Sequence, residues 1–382
     1  MMTDNIVIAG IGQTTVGEHW QYSIRELAHF ALEDAIKDAG GLRPQALFVG
    51  NMLAPNLSKQ AHLGALIADF SGLIGIEAVS IEAAGASGGA ALRQGYLAVK
   101  SGMIDVALIV GVEKFTDMVD SGVEDALATA TDSDFEAVQG LTPTSQAAML
   151  MRRYLREYNL PADALAGFPV TAHANAVDNP NAMFQRAIKA STYARAGMVS
   201  EPLNMFDAAP PADGAAAIIL TRSELLPAHY HHRLVRVSGS ASASDMLTLH
   251  DRRDPLSFDA ARRSVDSALL KAGVTREQIS FFEYHDAYSI YAALSLEAAG
   301  FAERGKGWEL ARDGEIAENG KIPCATMGGL KARGFPGGAT GVYQAVEAVS
   351  KLRDTSELGQ IALIQSLGGP ASTAVTHVLE SV

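Results

Sequence analysis

The sequence predicts an α/β fold built from two similar halves. Short apolar segments typical of buried strands alternate with amphipathic helical segments along the chain. The order strand, helix, strand, turn, helix, strand occurs twice, which predicts two similar units packed together. With 382 residues, of which 48% are apolar, the chain is long enough to bury a large core.

The first copy begins at the N-terminus. Its predicted elements are a strand at 6–10, a helix at 23–39 stopped by two glycines, a strand at 46–49, a turn and helix at 83–100, and a buried strand at 106–111. The second copy has a strand at 234–238, a helix at 260–272, a strand at 281–284, a glycine-rich turn and helix at 337–351, and a strand at 361–365. We therefore divide the chain at 1–228 and 229–382, with an inserted loop region at about 115–200 that is expected to contact substrate.

Charge and cysteine content exclude several classes of protein. The formal net charge is −13 with no basic stripe, which argues against binding to the phosphates of a nucleic acid. The single cysteine, Cys324, excludes an internal disulfide and a cysteine-based zinc site, and it is compatible with a reducing, cytoplasmic setting. Adjacent His231 and His232 would point to opposite faces of a strand, so we predict no metal site there. Residues 1–12 lack the features of a signal peptide, and no uncharged apolar stretch of about 18 residues predicts a membrane span.

Several glycine-rich and polar segments occur in the order found in the thiolase superfamily. They are 82–90, 111–114, 173–176 with 179–180, 202–203 with 207, 213–217, 285–288, 328–341 and 366–369. These segments span nearly the whole chain, which most closely resembles the sterol-carrier-protein-type branch. The resemblance implies a five-layer αβαβα thiolase fold, a homodimer, and coenzyme A thioesters as substrates. Coenzyme A would enter as part of the substrate, with no permanently bound cofactor.

The positions that carry thiolase chemistry depart from the family. Gly85 stands where the resemblance places the nucleophilic cysteine, and Phe335 stands at the histidine of the Gly-His-Pro motif. The second cysteine would match Ala287, or Ser366 in the more typical thiolases. Without a thiolate, no acyl group can be carried covalently between two half-reactions, so we expect no ordinary thiolase activity. Changes at several positions favour a remodelled site over one engineered substitution, and an inactivated paralogue is the alternative.

Other family positions are retained. The resemblance places His285 at the oxyanion site for the thioester, where it would act as a hydrogen-bond donor or a base. The backbone N–H groups of Gly85 and Gly368 would form a second oxyanion site. Tyr288 is either a general acid or part of the core, and Phe335 would line the acyl pocket. The other predicted substrate-binding residues are His173, Asn175, Lys331 and Arg333, of which the last two would meet coenzyme A phosphates.

Three functions agree with this set of residues. The leading hypothesis is retro-aldol cleavage of a 3-hydroxyacyl-CoA, because this reaction needs no cysteine. The chain resembles the steroid side-chain aldolases of the superfamily, which work with a small OB-fold partner of the DUF35 type. The catalytic tyrosines of those aldolases would match His285 and Phe335, so this chain departs from them too. The alternatives are a non-catalytic thiolase-like subunit and an acyltransferase whose nucleophile comes from a partner.

Overall fold

The computed structural model describes residues 5–119 and 121–382, which contain one nine-stranded sheet and a two-stranded ribbon. The strands are β1 (Ile6–Gln13), β2 (Ala46–Gly50), β3 (Glu77–Ile81), β4 (Val106–Glu113), β5 (Met198–Ser200), β6 (Leu203–Asn204), β7 (Gly214–Arg222), β8 (Val235–Ser244), β9 (Phe281–Glu283), β10 (Ile361–Gly368) and β11 (Thr373–Ser381). The α-helices are α1 (Ile24–Asp38), α2 (Ala54–Leu57), α3 (Leu63–Phe70), α4 (Ser87–Lys100), α5 (Ser121–Ala128), α6 (Pro143–Glu157), α7 (Gly167–Asn175), α8 (Ala190–Tyr193), α9 (Asp259–Ala272), α10 (Ser289–Ala298), α11 (Gly307–Arg312) and α12 (Thr340–Asp354). Residues 1–4, which open the segment expected not to be a signal peptide, lie outside this description.

The sheet has the internal symmetry that the duplicated sequence order predicts. Its strands follow the order β3-β2-β4-β7-β1-β8-β11-β10-β9. The two parts meet at β1 and β8, which are joined by the single pair Val7 and Arg236. Beyond β9, Phe282 forms a parallel bridge to Cys324, which takes the place that β3 has at the other edge. Each half therefore arranges five extended segments in the same order.

The helices form three layers around the two parts of the sheet. Helix α1 packs on β1, β7 and β4, while α9 packs on β8 and β11. Helices α4 and α12 contact each other and also touch strands of both parts, so they form the central layer. Strands β4, β7 and β10 are covered on both faces, which explains their continuous apolar sequences. The five-layer αβαβα thiolase fold is confirmed.

Local sequence signals explain how α1 is placed. The Ser23 side chain accepts a hydrogen bond from the Glu26 backbone, and the Glu26 carboxylate accepts one from the Ser23 N–H. A cap of this kind contributes about 1 kcal/mol to helix stability. Gly10 lets β1 approach α1 closely, since a Cβ at this position would lie 2.1 Å from the Ala35 carbonyl oxygen. Helix α1 therefore has a defined start and packs closely on the sheet.

In its described residues, the region expected to be an inserted loop contains four helices, which cover less than half of it. Between residues 115 and 200 the described chain forms α5, α6, α7 and α8. Helix α6 begins at Pro143 behind the capping residue Thr142 and buries Met151 and Tyr154 in the core of the C-terminal half. The sequence did not indicate these helices, because Pro, Asp and Thr in this stretch mark helix starts as well as turns. Within the described residues, no helix combines the length and apolarity needed to cross a bilayer.

Candidate active site

A cavity of about 480 Å³ lies where α5, α6 and the segments around residues 206–211 and 331–335 come together. Its wall is mostly apolar. The segment leading into β7 is held by backbone hydrogen bonds from Ala209 N–H to the Ala287 carbonyl (2.8 Å) and from Phe335 N–H to the Pro210 carbonyl (2.9 Å). These bonds fix Tyr288 and Phe335 on the cavity wall, and the role of Phe335 in an acyl pocket stays a prediction.

A chain of three oxygen-bearing side chains lines this cavity. The Tyr288 phenol is 3.0 Å from the Thr144 hydroxyl, and both residues are largely buried. The Thr144 and Thr142 hydroxyls lie close enough to the carboxylate of Glu124 on α5 to lower its pKa. We call Tyr288, Thr144 and Glu124 the Tyr288 relay. It places a carboxylate and two hydroxyl groups side by side on the cavity wall, an arrangement that can move a proton.

Burial sets the protonation of the relay. It raises the pKa of the Tyr288 phenol, although the hydrogen bond from Thr144 opposes this, so the phenol stays neutral near pH 7. Burial also raises the pKa of Glu124 above its usual 4.5, against the lowering effect of the two threonine hydroxyls. A carboxylate with a raised pKa is a stronger base than a free one. Glu124 is therefore the group in the relay suited to take up a proton.

Gly85, Gly368 and His285 meet behind the cavity. Gly85 lies in the turn that leads into α4, and a Cβ built there would be 3.0 Å from His285 Cε1 and 2.7 Å from the Leu367 carbonyl oxygen. A Cβ on Gly368 would lie 2.7 Å from the Ala83 carbonyl oxygen. The structure thus brings the three residues predicted for oxyanion binding into one place. It leaves no room for a side chain at position 85 without a shift of its neighbours.

His285 is enclosed and uncharged. Burial, followed by the nearby Arg333 charge, lowers the pKa of His285 to about 3, so the imidazole is neutral at pH 7 and a weak base. Its Nδ1 atom has no hydrogen-bond partner among the described residues. The Phe335 ring meets the imidazole edge-on with centroids 5.8 Å apart. Phe335 lines the cavity, whereas His285, Gly85 and Gly368 do not, so Phe335 separates the cavity from these residues.

Lys331 and His173 also line the cavity. The Lys331 ammonium donates hydrogen bonds to the backbone carbonyls of Asp207 (2.7 Å) and Phe206 (3.4 Å). Burial lowers the pKa of Lys331 to about 8, which leaves the amine mostly charged at pH 7. His173 Nδ1 donates to the Arg186 carbonyl (3.2 Å), and its ring stacks on Phe184. Both residues were predicted to contact substrate, which stays a prediction.

Two other predicted substrate contacts lie away from the cavity. The Asn175 amide donates to the carbonyls of Cys324 and Ala325, so it fastens a loop. Arg333 is 1% exposed and pairs with Glu347 at 2.6 Å. The expectation that Arg333 meets a coenzyme A phosphate is wrong, because Glu347 on α12 neutralises this guanidinium inside the core. The same expectation for Lys331 assumed an exposed side chain, and Lys331 is buried.

Two protein-family models match this chain, one in each of its halves. The family model described as thiolase, N-terminal domain, matches residues 6–224. The model described as thiolase C-terminal domain-like matches residues 241–381. The chain belongs to the thiolase family. Members of this family take coenzyme A thioesters as substrates and hold no permanent cofactor.

Relatives of this thiolase-family chain differ in activity. An acetyl-CoA acetyltransferase of Methanothermobacter thermautotrophicus is 41% identical over 98% of this chain and 99% of its own length. A 17-hydroxy-3-oxo-4-pregnene-20-carboxyl-CoA lyase of Mycobacterium tuberculosis is 26% identical over 98% of both proteins. A solved structure described as the Ltp2-ChsH2(DUF35) aldolase aligns with a TM-score of 0.84 at 23% identity, covering 99% of this chain and 98% of that one. The last comparison supports the thiolase fold.

The sequence did not indicate two members of the Tyr288 relay. Glu124 and Thr144 lie on α5 and α6, in the stretch expected to be a loop, and no local motif joins them to Tyr288. The signal that was available is the Thr-Pro-Thr stretch at 142–144, which marks the start of a helix. In the described residues, no group of three His, Cys, Asp or Glu side chains is placed to hold a metal ion. The residues at this thiolase-family site offer hydroxyl and carboxyl groups for proton transfer and N–H donors for an oxyanion.

Proposed function

We propose that this protein is a carbon–carbon lyase that cleaves a 3-hydroxyacyl-CoA by a retro-aldol reaction. The observation that carries the proposal is the Tyr288 relay, which places a phenol, a hydroxyl and a basic carboxylate on the wall of an apolar cavity. Position 85 offers no side chain for a covalent intermediate. A reaction that needs proton transfer but no nucleophile fits both facts.

The reaction begins with removal of the proton on the substrate's C3 hydroxyl. That proton passes to the Tyr288 oxygen as the Tyr288 proton moves to Thr144 and the Thr144 proton moves to the Glu124 carboxylate. The electrons of the C2–C3 bond stay on C2 and form the enolate of the shorter thioester. C3 leaves as an aldehyde or a ketone. C2 then takes a proton from water, Glu124 returns its proton to solvent, and the site is restored.

The enolate oxygen needs hydrogen-bond donors. We assign this role to neutral His285 and to the backbone N–H groups of Gly85 and Gly368, which lie together behind Phe335. Loss of one such donor costs about 3–4 kcal/mol of transition-state stabilisation in enzymes that use them. Because Phe335 covers His285, its ring has to turn aside before the thioester oxygen can reach the imidazole. The pKa of His285, about 3, favours a donor role over a role as base.

The relatives support more than one reading of this site. A lyase relative at 26% identity supports the retro-aldol proposal. An acetyltransferase relative at 41% identity supports acyl transfer, and that chemistry would require a nucleophile from a partner because position 85 is glycine. The closed arrangement of Phe335 over His285 favours a third possibility, a subunit that binds a thioester without turnover.

We propose two protein partners. A homodimer is supported by β3, an edge strand of the sheet on which Val79 is 48% exposed, because an exposed strand edge can pair with another chain. A small OB-fold partner of the DUF35 type is supported by the fold neighbour described with that domain. Large apolar side chains at the cavity, Met205 and Val199, are more than half exposed, and a partner over this face would cover them.

The test is a mass-spectrometric assay of the purified protein with 3-hydroxyacyl-CoAs and 3-ketoacyl-CoAs, with and without a co-expressed DUF35 protein. We expect only the 3-hydroxy esters to yield a shorter acyl-CoA and a carbonyl product. Tyr288→Phe should lower kcat by about 10²–10⁴-fold, the range typical of a lost general acid or base. Tyr291→Phe is the matched control, because this buried phenol in the first turn of α10 has no hydrogen-bond partner among the described residues and does not line the cavity. Absence of turnover of both substrate classes, with partner binding retained, would replace the lyase with the non-catalytic subunit.

A further inference from the structure

Lys331 presents a buried positive charge to the cavity. The side chain is 2% exposed, and its two hydrogen-bond acceptors, the carbonyls of Asp207 and Phe206, are neutral. Among the described residues no carboxylate forms an ion pair with it. Two buried carboxylates, those of Asp286 and then Asp207, raise the pKa of Lys331 without coming within ion-pair distance, and the Asp207 carboxylate accepts the Tyr193 hydroxyl at 2.9 and 3.1 Å. An ammonium group has three N–H donors, so one remains for a ligand.

A merely structural role for Lys331 is the competing explanation. The Phe206 and Asp207 carbonyls need hydrogen-bond donors, and the neutral side-chain amide of a glutamine could supply them without placing a charge on an apolar wall. An ammonium that is removed from water without a counter-ion is destabilising, which is why buried charges are normally paired. Asp286 and Asp207 offset part of this cost without contacting the ammonium, so an anion that enters the cavity would be its direct ion-pair partner.

The residues around Lys331 agree with an anionic ligand that also has an apolar body. His173, whose pKa Lys331 helps to lower, is neutral and packs against the rings of Phe184 and Phe206. Arg186 adds a second cation to the cavity lining. The cavity has one lining carboxylate among the described residues, that of Glu124, which lies beside the Thr142 and Thr144 hydroxyls.

We propose that the acyl group of the substrate carries a carboxylate, which Lys331 binds in this cavity. The acyl chain would lie along the phenylalanine rings with its charged end at the ammonium. This inference rests on the proposed function only in taking a coenzyme A ester as the ligand. A charge-assisted hydrogen bond to a buried ammonium should strengthen binding about 10- to 100-fold over an uncharged ester of equal length.

The test compares glutaryl-CoA with pentanoyl-CoA by titration calorimetry. Both esters have five acyl carbons, both lack a 3-hydroxyl and cannot undergo retro-aldol cleavage, and they differ in the terminal carboxylate. We expect the wild-type protein to bind glutaryl-CoA at least about 10-fold more tightly. In Lys331→Gln the amide can still donate to the Asp207 and Phe206 carbonyls, so the fold should persist while the preference disappears. Lys321→Met, which removes an exposed lysine outside the cavity, should keep the preference.

Equal affinity of the wild-type protein for the two esters would overturn the inference, as would a preference that survives in folded Lys331→Gln. If this variant does not fold, the inference is tested on the wild-type protein by measuring how far each ester protects the Lys331 amine from chemical modification. Glutaryl-CoA, but not pentanoyl-CoA, should slow reductive methylation of Lys331 measured by peptide mass spectrometry, and equal labelling rates would refute carboxylate binding. A clear preference in a protein that cleaves no 3-hydroxyacyl-CoA would retain this inference and remove the lyase proposal. Cleavage of a 3-hydroxyacyl-CoA without a preference for glutaryl-CoA would retain the lyase proposal and remove this inference.

Discussion

Restoring a cysteine at position 85 tests whether this site has been rebuilt or has only lost its nucleophile. In Gly85→Cys the new Cβ would lie 2.7 Å from the Leu367 carbonyl oxygen and 3.0 Å from His285 Cε1. Both distances are shorter than ordinary contacts, and one partner is backbone, so the turn before α4 has to move. Overpacking of this kind typically costs about 1–3 kcal/mol.

The expected result is a less stable protein that still lacks thiolase activity. For a chain of this size the cost corresponds to a Tm lower by about 1–5 °C, measured by differential scanning fluorimetry. Thiolysis of acetoacetyl-CoA should stay at background, because Phe335 stands where the activating histidine would be and cannot take the proton of the thiol. Gly85→Ala is the matched control, since it adds the same Cβ without sulfur and should lose a similar amount of stability. Thiolase activity in Gly85→Cys at an unchanged Tm would refute the reasoning.

Three further predictions concern the relay, the phenylalanine and the sheet edge. In the wild-type protein, kcat/KM should fall at acidic pH as Glu124 is protonated, and this fall should lie above pH 4.5 because burial raises the pKa of Glu124. Glu124→Gln should remove this acidic limb of the pH profile. An unchanged profile would exclude Glu124 as the base. Phe335→Ala should open the cavity to His285 and make this histidine reactive to diethyl pyrocarbonate. The free energy of unfolding should fall by about 2–3 kcal/mol, less than for a fully buried ring. Continued protection of His285 would show that Phe335 does not separate it from the cavity. Val79→Lys should shift a homodimer toward monomer in light scattering, because a lysine on an edge strand opposes pairing; an unchanged mass would place the interface elsewhere.

The elements that the sequence predicts well are those with local signals. Helix α1 has a capping box at its start and glycines after its end, and its observed bounds, Ile24–Asp38, lie within the predicted 23–39. The repeated strand order gave the two halves without any knowledge of the contacts. Strands β7 and β11 were not predicted, because β7 begins inside the family motif at 213–217 and the polar and apolar residues of β11 do not alternate.

The candidate site could be predicted only where it follows a family motif. His285, Gly85 and Gly368 come together as the resemblance suggests. The Tyr288 relay could not be found in this way, because Thr144 and Glu124 lie on two helices, α6 and α5, that the local composition did not predict. Burial of Arg333 depends on Glu347, which lies fourteen residues further along the chain on α12, so neither residue alone indicates the pair.

The most direct test of the central claim is cleavage of a 3-hydroxyacyl-CoA in D₂O, without added free coenzyme A and with mass analysis of both products. The retro-aldol account predicts a carbonyl compound and a shorter acyl-CoA that carries one deuterium at C2, because the enolate is protonated by solvent. It also predicts that Tyr288→Phe slows both products equally. Products that form only when free coenzyme A is supplied, or an acyl-CoA without deuterium at C2, would contradict the account.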